Sequence, residues 1–400
     1  MADPNAEDVI VRIAARGDGV SSGGRFFPLT APGDRVLGDG SIEPGPHRRV
    51  APCRHFPECG GCQLQQLDDE SFGDFLVDRV ASALASQGVP APEIRRPHVS
   101  PPNSRRRASL RAERRGKQVL LGFNAGASHR IIDMRECHIL RPELFALIDP
   151  LRRLMGQLLG PRGNGGVRMT LADQGADILL EKVEVEGLEA TEALAEFAQI
   201  HRLARLAVDD GYGAQTRWEP EPVTVTLGGV AVALPHGAFL QATREGEEAL
   251  VAAVREAVGT GRIVADLFAG LGTFALSLEG RILAVEGARD AALTLKAAAN
   301  RTQRQLFVDH RDLFRRPLDG KELDRFDGIV LDPPRAGAKE QIPILARSAV
   351  PRVAYVSCNP ATFARDAKAM IEGGYRLEWV KPVGQFRWST HVELVGAFTR

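Results

Sequence analysis

Two groups of residues in this chain could do chemistry with sulfur. Cys53, Cys59 and Cys62 fall together in CRHFPECGGC, and Cys137 follows in MRECHIL. Cys358 stands apart in SCNP, which completes the total of 5. Four cysteines outside an oxidising compartment point to metal before disulfide. The C-x5-C-x2-C spacing with one distant partner is not the doubled C-x2-C of common zinc sites, although spacing alone leaves zinc open. The plainer reading is a set of unrelated buried thiols, and the clustering argues against it. Cys358 is followed by Asn359, a good helix cap, and Pro360, a good first helical residue. A thiol there sits at a helix N-terminus, whose dipole favours thiolate. Asp332 opens Asp-Pro-Pro-Arg, where two prolines stiffen the turn and remove two N–H donors. Glu393, in HVEL, reads from pattern as one polar residue of an alternating strand.

These residues need a frame. From about residue 243 a helical stretch precedes alternating strand and helix segments: IVADLF, RILAVE, QLFV, FDGIVL and RVAYVS, with helices such as DAALTLKAAANR and PATFARDAKAM between them. Such alternation predicts an α/β fold with a parallel sheet and right-handed crossovers. Ligands of these sheets bind at the carboxyl ends of the strands, which is where Asp332 and Cys358 fall. The tail strands YRLEWVKPV and HVELVGAF have no crossover helix between them and read as an antiparallel pair. The first strand runs into Asp266-Leu-Phe-Ala-Gly270-Leu-Gly272-Thr-Phe-Ala275, a G-x-G-x-x-A turn, and Glu286 ends the next strand. Glycines admit a ligand to the backbone, and the carboxylate can accept from ribose hydroxyls. A dinucleotide and S-adenosylmethionine both satisfy that pattern, so a dinucleotide oxidoreductase stays open here.

Upstream, residues 1–50 are rich in Gly and Pro with short apolar runs, which suggests a small β-barrel or a loosely packed arm. Residues 70 to 90 read as an amphipathic helix closed by Gly88 and Pro90. Residues 51–235 form an α+β middle domain, and residues 236–400 the α/β domain. No stretch is long and apolar enough for a membrane span. The polar, acidic start MADPNAEDVIV carries no export signal, so a cytoplasmic location is expected. Lys+Arg and Asp+Glu balance at 51 each, so any nucleic-acid affinity must come from local patches. The stretch RRPHVSPPNSRRRASLRAERRGK, from Arg95 to Lys117, holds one acid among its bases. It is either a solvated face or a phosphate-binding surface.

Together DLFAGLGTF, VEG, DPPR, SCNP and HVE, in this order, resemble the RNA uracil-5-methyltransferases. The resemblance runs through nearly the whole chain, including GAFLQAT (237–243), SRRRA (104–108) and the cysteine loop. It is closest to the iron–sulfur branch that methylates 23S rRNA, and implies a class I, Rossmann-like methyltransferase sheet behind an RNA-binding middle domain and a TRAM/OB-like barrel. The barrel looks shortened after Val36. Thr243 stands where relatives often carry Asn, and FRWST precedes HVE where they often carry a Pro-His-Thr type sequence.

The resemblance also implies roles. Cys358 is the nucleophile that adds to uracil C6, Glu393 the base that removes the C5 proton, and Asp332 the acceptor for uracil N3–H. Gln241, Phe268, Gly270, Glu286, Asp312 and Asp332 contact S-adenosylmethionine, with Phe239 packed nearby. Cys53, Cys59, Cys62 and Cys137 ligate a [4Fe–4S] cluster, and Arg105, Arg106 and Arg107 contact RNA. The target uracil must be flipped out of its stack. Ribosomal RNA is the favoured partner and tRNA the alternative, with no obligate protein partner. A non-catalytic, metal-containing RNA-binding protein is the alternative of another class.

Overall fold

The computed structural model describes residues 8–400. The share of the barrel expectation, and of the argument against an export signal, that rests on residues 1–7 lies outside them. The first unit is an antiparallel five-stranded sheet, curled as expected of a small barrel-like domain, with Asp8–Ile13 at its centre. Ile10, Ile13, Val20 and Val36 supply its buried side chains. The sheet does not stop at Val36: Ile42–Glu43 pairs with Arg35–Val36 as a further strand. Asp34, fully buried, ties that end together by accepting from Ala31 N (2.6 Å), Gly45 N (2.8 Å) and Arg48 (2.5 Å).

The middle domain is a six-stranded sheet running Gln215–Trp218, Arg205–Asp209, Gly175–Glu181, Asn164–Ala172, Arg107–Arg115 and Gln118–Gly122. Helices Ile148–Leu158 and Gly187–Ile200 share its core: Leu151, Met155, Leu194 and Phe197 pack with Leu110, Leu121, Ile178 and Leu206.

The largest sheet has nine strands. Five are parallel: Leu306–His310, Arg281–Glu286, Ile263–Leu267, Gly328–Leu331 and Arg352–Ser357. The antiparallel pair Glu393–Thr399 and Arg376–Gly384 follows, as the missing crossover helix requires. Glu93–Ile94 and His98–Val99 then add parallel to Arg376–Gly384.

The domain boundaries therefore differ from the expected 51–235 and 236–400. Helix Asp69–Ser86, capped by Asp68 accepting from Ser71 N at 2.8 Å, buries Phe72, Phe75, Leu76 and Val80 in one core with Tyr355, Phe363 and Leu394. Hairpin strands Thr224–Leu227 and Val230–Ala233 pack Val225 and Val232 against Leu250 and Val254 of helix Arg244–Val258. Both segments read locally as amphipathic. Which core takes the apolar face is a long-range matter that a local pattern does not carry.

Candidate active site

Strand order brings the chemistry together. Asp332 follows strand Gly328–Leu331, and Cys358 follows the adjacent Arg352–Ser357. Strand Glu393–Thr399 runs antiparallel beside the latter, with Ser357 opposite Leu394. Its first residue, Glu393, thus lies at the edge where the parallel strands end. All three residues line one cleft of about 1460 Å3. Two loops are fastened around it. Asn359 caps helix Pro360–Glu372 by accepting from Ala361 N (3.1 Å), as expected, and its amide donates to Arg335 O (3.3 Å). Thr362 Oγ1 donates to the same carbonyl at 3.3 Å, which ties the Asp332–Arg335 turn to the Cys358 turn.

The electrostatics depart from the expectation at Cys358. Burial, then the nearby Glu393 and Asp332 carboxylates, push its thiol up to about 11. In the free protein these outweigh the helix N-terminus, so Cys358 rests as a thiol. Burial and then Asp332 push Glu393 up to about 8, and burial lifts Asp332 to about 7. Three groups that would share negative charge sit in one enclosure, and each discourages the others from ionising.

The glycine turn forms the opposite wall. Phe268 (φ 65°) and Gly270 (φ 56°) take left-handed conformations. A Cβ on Gly270 would meet nothing within 4 Å and would project into the opening, so the turn leaves room for a ligand against its backbone. Glu286 accepts from Gly270 N (2.7 Å) and Ala288 N (2.6 Å) and still lines the cleft. Gln241 and Phe268 line it as well. This wall fits an adenosine-bearing cofactor. Asp312 is not among the lining residues. Its carboxylate accepts from Phe314 N at 2.9 Å and faces Arg315 at 3.5 Å, while Phe314 packs its ring 5.4 Å from that of Phe268. Thr243 caps helix Arg244–Val258 through Gly246 N at 3.0 Å, a job that Asn also does.

The arginine segment is divided. Arg107 lies over the exposed Phe239 ring at 4.4 Å, beside Glu393. Arg105 lines the cleft between Phe123 (5.6 Å) and Phe386 (5.4 Å), and its guanidinium also feels Cys137, Cys62 and Cys59. Arg106 does not reach the cleft, which corrects its expected RNA contact. It is 7% exposed, pairs with Glu247 at 2.5 Å and donates to Gln241 O at 3.0 Å. Alternation along strand Arg107–Arg115 and the turn before it sends neighbouring arginines to opposite sides. Arg95 likewise is spent internally, stacked on Trp379 at 3.9 Å and paired with Glu256.

Cys53, Cys59, Cys62 and Cys137 come together from two distant segments around a second, smaller cavity. All four are free thiols. Burial raises all four, and neighbouring cysteines raise Cys59, Cys62 and Cys137 further, Cys62 to about 12. They stand wider apart than a single small ion would hold them. Among the described residues only His47, Asp68 and Glu70 bring three ligand atoms within 4.8 Å of one another. That trio is explained otherwise: His47 pairs with Asp68 at 3.0 Å, and Asp68 is the cap already described.

The sequence reading missed Gln385, Phe386 and His391. Phe386 and His391 line the cleft, and Gln385 backs it. They lie in a segment without periodicity, where FRWST and HVE include Phe386 and His391 but singled out only Glu393.

The comparisons agree with this geometry. A family model described as tRNA (Uracil-5-)-methyltransferase matches residues 235–399. The 23S rRNA (uracil(1939)-C(5))-methyltransferase RlmD of Shewanella frigidimarina is 32% identical over 387 residues, spanning 90% of this chain and 84% of that one. The chain belongs to the RNA uracil-5-methyltransferase family. It is thereby an S-adenosylmethionine-dependent RNA methyltransferase. An uncharacterized RNA methyltransferase of Zymomonas mobilis is 54% identical over 393 residues, covering 98% of this chain and 99% of that one. In fold, the chain matches the tRNA (uracil-54, C5)-methyltransferase of Pyrococcus abyssi with a TM-score of 0.73 at 21% identity, over 98% of this chain and 99% of that one.

Proposed function

We propose that this protein methylates C5 of a uridine in 23S rRNA through a covalent Cys358 adduct. The observation that carries the reading is the convergence of Cys358, Asp332 and Glu393 on one cleft opposite an open glycine turn. S-adenosylmethionine, when bound, supplies an electrophilic methyl group. Uracil C5 is a poor nucleophile; Cys358, once its thiol proton has passed to solvent, adds as thiolate through Sγ to C6 and places the electron pair on C5. Asp332, ionised, accepts from N3–H of uracil, whereas cytosine presents an acceptor there and is repelled. After methyl transfer the Glu393 carboxylate takes the C5 proton. The C5–H electron pair then reforms C5=C6 and Cys358 leaves as thiolate. Arg107 and Phe239 at the mouth give a flipped base a cation and a ring to meet, and Arg105 adds a second cation deeper in.

The 32% identical 23S rRNA enzyme supports the ribosomal substrate. The description of the matching family model favours tRNA as the second reading. Labelled methyl transfer to undermodified 23S rRNA and tRNA, tested separately with nucleoside identification, decides between them. 5-Methyluridine from rRNA alone is expected, and product from tRNA alone moves the target. No 5-methyluridine from either returns the reading to an RNA-binding protein without this chemistry. We place the reaction in the cytoplasm, in keeping with the lack of any described helix long and apolar enough to cross a membrane.

We further propose that Cys53, Cys59, Cys62 and Cys137 hold a [4Fe–4S] cluster. Their fit rests on four free thiols around one cavity, Cys62 buried and the others half-buried, spaced too widely for one ion. Thiolate ligation offsets the burial that keeps them protonated when empty. Methyl transfer needs no electron, so the group ties the loop at 53–62 to the middle domain at Cys137. Iron and acid-labile sulfide on anaerobically purified protein test this, and zinc in their place overturns it.

A further inference from the structure

The cleft described above has a second layer, and one residue of it joins the two ends of the reaction. Gln385 is 2% exposed and stands behind the wall that Gln241 and Glu393 present. Its side-chain oxygen accepts from Ala242 N at 2.7 Å, and its Nε2 donates to Gln241 Oε1 at 2.7 Å. The same amide stands beside Glu393, whose strand partner Val383 lies two residues before Gln385, and it lowers that carboxyl. The surroundings are shaped to it: a Cβ on Gly246 would meet Gln385 Cβ at 2.6 Å. From the other side, Arg106 fixes the same 241–242 segment. Arg106 Nε donates to Gln241 O at 3.0 Å, and Arg106 N donates to Ala242 O at 2.9 Å.

We propose that Gln385 is the positioning residue for the last step of the reaction, holding the Glu393 carboxylate and the Gln241 amide in one fixed relation. This rests on the reading of Glu393 as the group that takes the C5 proton. An amide that bonds one cleft residue and stands beside a second fixes how the two can sit relative to one another. It also sets a direction. With Gln241 Oε1 taken by Gln385, Gln241 offers the cleft its N–H donors, which suit an oxygen such as a uracil carbonyl.

The test separates the two chemical steps. Gln385→Met keeps length and volume and removes both hydrogen bonds, together with the polar group beside Glu393. In a single turnover with labelled S-adenosylmethionine and undermodified rRNA, methyl transfer precedes the action of Glu393, and release of RNA from Cys358 follows it. Gln385→Met is expected to slow release about tenfold to a hundredfold more than methyl transfer. Methylated enzyme–RNA adduct then accumulates on a denaturing gel. The ratio of the two rates does not depend on the fraction of protein folded, so a poorly folded variant still reports. Equal loss of both steps, or no loss, overturns the proposal. Glu393→Gln, run beside it, keeps the failures apart. If Glu393→Gln accumulates adduct and Gln385→Met does not, only the role of Gln385 falls. If Glu393→Gln releases RNA as fast as the native enzyme, the base assignment falls, and the role of Gln385 with it.

Discussion

The two cysteine sites solve one problem in different ways. Around the second cavity, burial raises all four thiols, neighbouring cysteines add to it at Cys59, Cys62 and Cys137, and the one carboxylate that contributes is Glu136, near Cys53. At Cys358 the thiol is raised by burial and by two carboxylates, to which the proposed mechanism also gives work. On the proposed reading both sites withhold negative charge until something cationic arrives: for the quartet iron, which stays, and for Cys358 the sulfonium of the methyl donor, present for one turnover. A burial that looks unfavourable for a nucleophile thus makes charge separation depend on the bound cofactor.

The contrast is broken most severely by Cys358→Ala. Methyl transfer is expected to fall on the order of 10^4-fold or more, with iron content unchanged on elemental analysis. Next comes Glu393→Gln, expected to reduce turnover by about 10^2- to 10^4-fold, measured as release of 5-methyluridine-bearing RNA. Cys62→Ser reverses the pattern. It should strip the metal and lower stability by about 4 kcal/mol if the native site holds metal a thousandfold above its dissociation constant, read by thermal melting. Methyl transfer by the protein that stays folded should persist.

The smallest effect is pH. Glu393 must be ionised to accept a proton and is pushed up to about 8, so the rate of RNA release from Cys358 should climb through pH 7 and 8 and flatten above. Stability runs the other way. Asp332 and Glu393 hold protons in the folded state up to about 7 and 8, against 3.8 and 4.5 ordinarily. Between those limits the folded state binds more protons than the unfolded chain, so stability falls as pH rises from about 4 towards 8. Melting curves across this range check the sign, and Asp332→Asn should flatten the slope.

Much of the site was legible because strand–helix alternation fixes which loops share an edge. That rule placed Asp332 and Cys358 together. It could not place Glu393, whose strand runs the opposite way and enters the edge by its first residue. Motif resemblance supplied that residue, and the register explains it afterwards. What stayed hidden was tertiary. Arg106 looked like its neighbours in a basic run, yet its partner Glu247 lies 141 residues on. Helix Asp69–Ser86 was recognised as a helix but assigned to the wrong core. Gln385 carried no local signal at all, since its meaning is contacts made only once the loops meet. The thiol of Cys358 was expected to be lowered by its helix; burial raises it instead, helped by two carboxylates that come from other strands.

The account turns on Cys358 bonding to uracil C6. The direct measurement uses rRNA transcribed with 5-fluorouridine, whose C5 carries no proton for Glu393 to remove, incubated with the protein and S-adenosylmethionine. Mass spectrometry of the digested complex should find a methylated fluorouridine attached to the peptide containing Cys358. An adduct on another cysteine, or methylated RNA with no adduct, would contradict the mechanism.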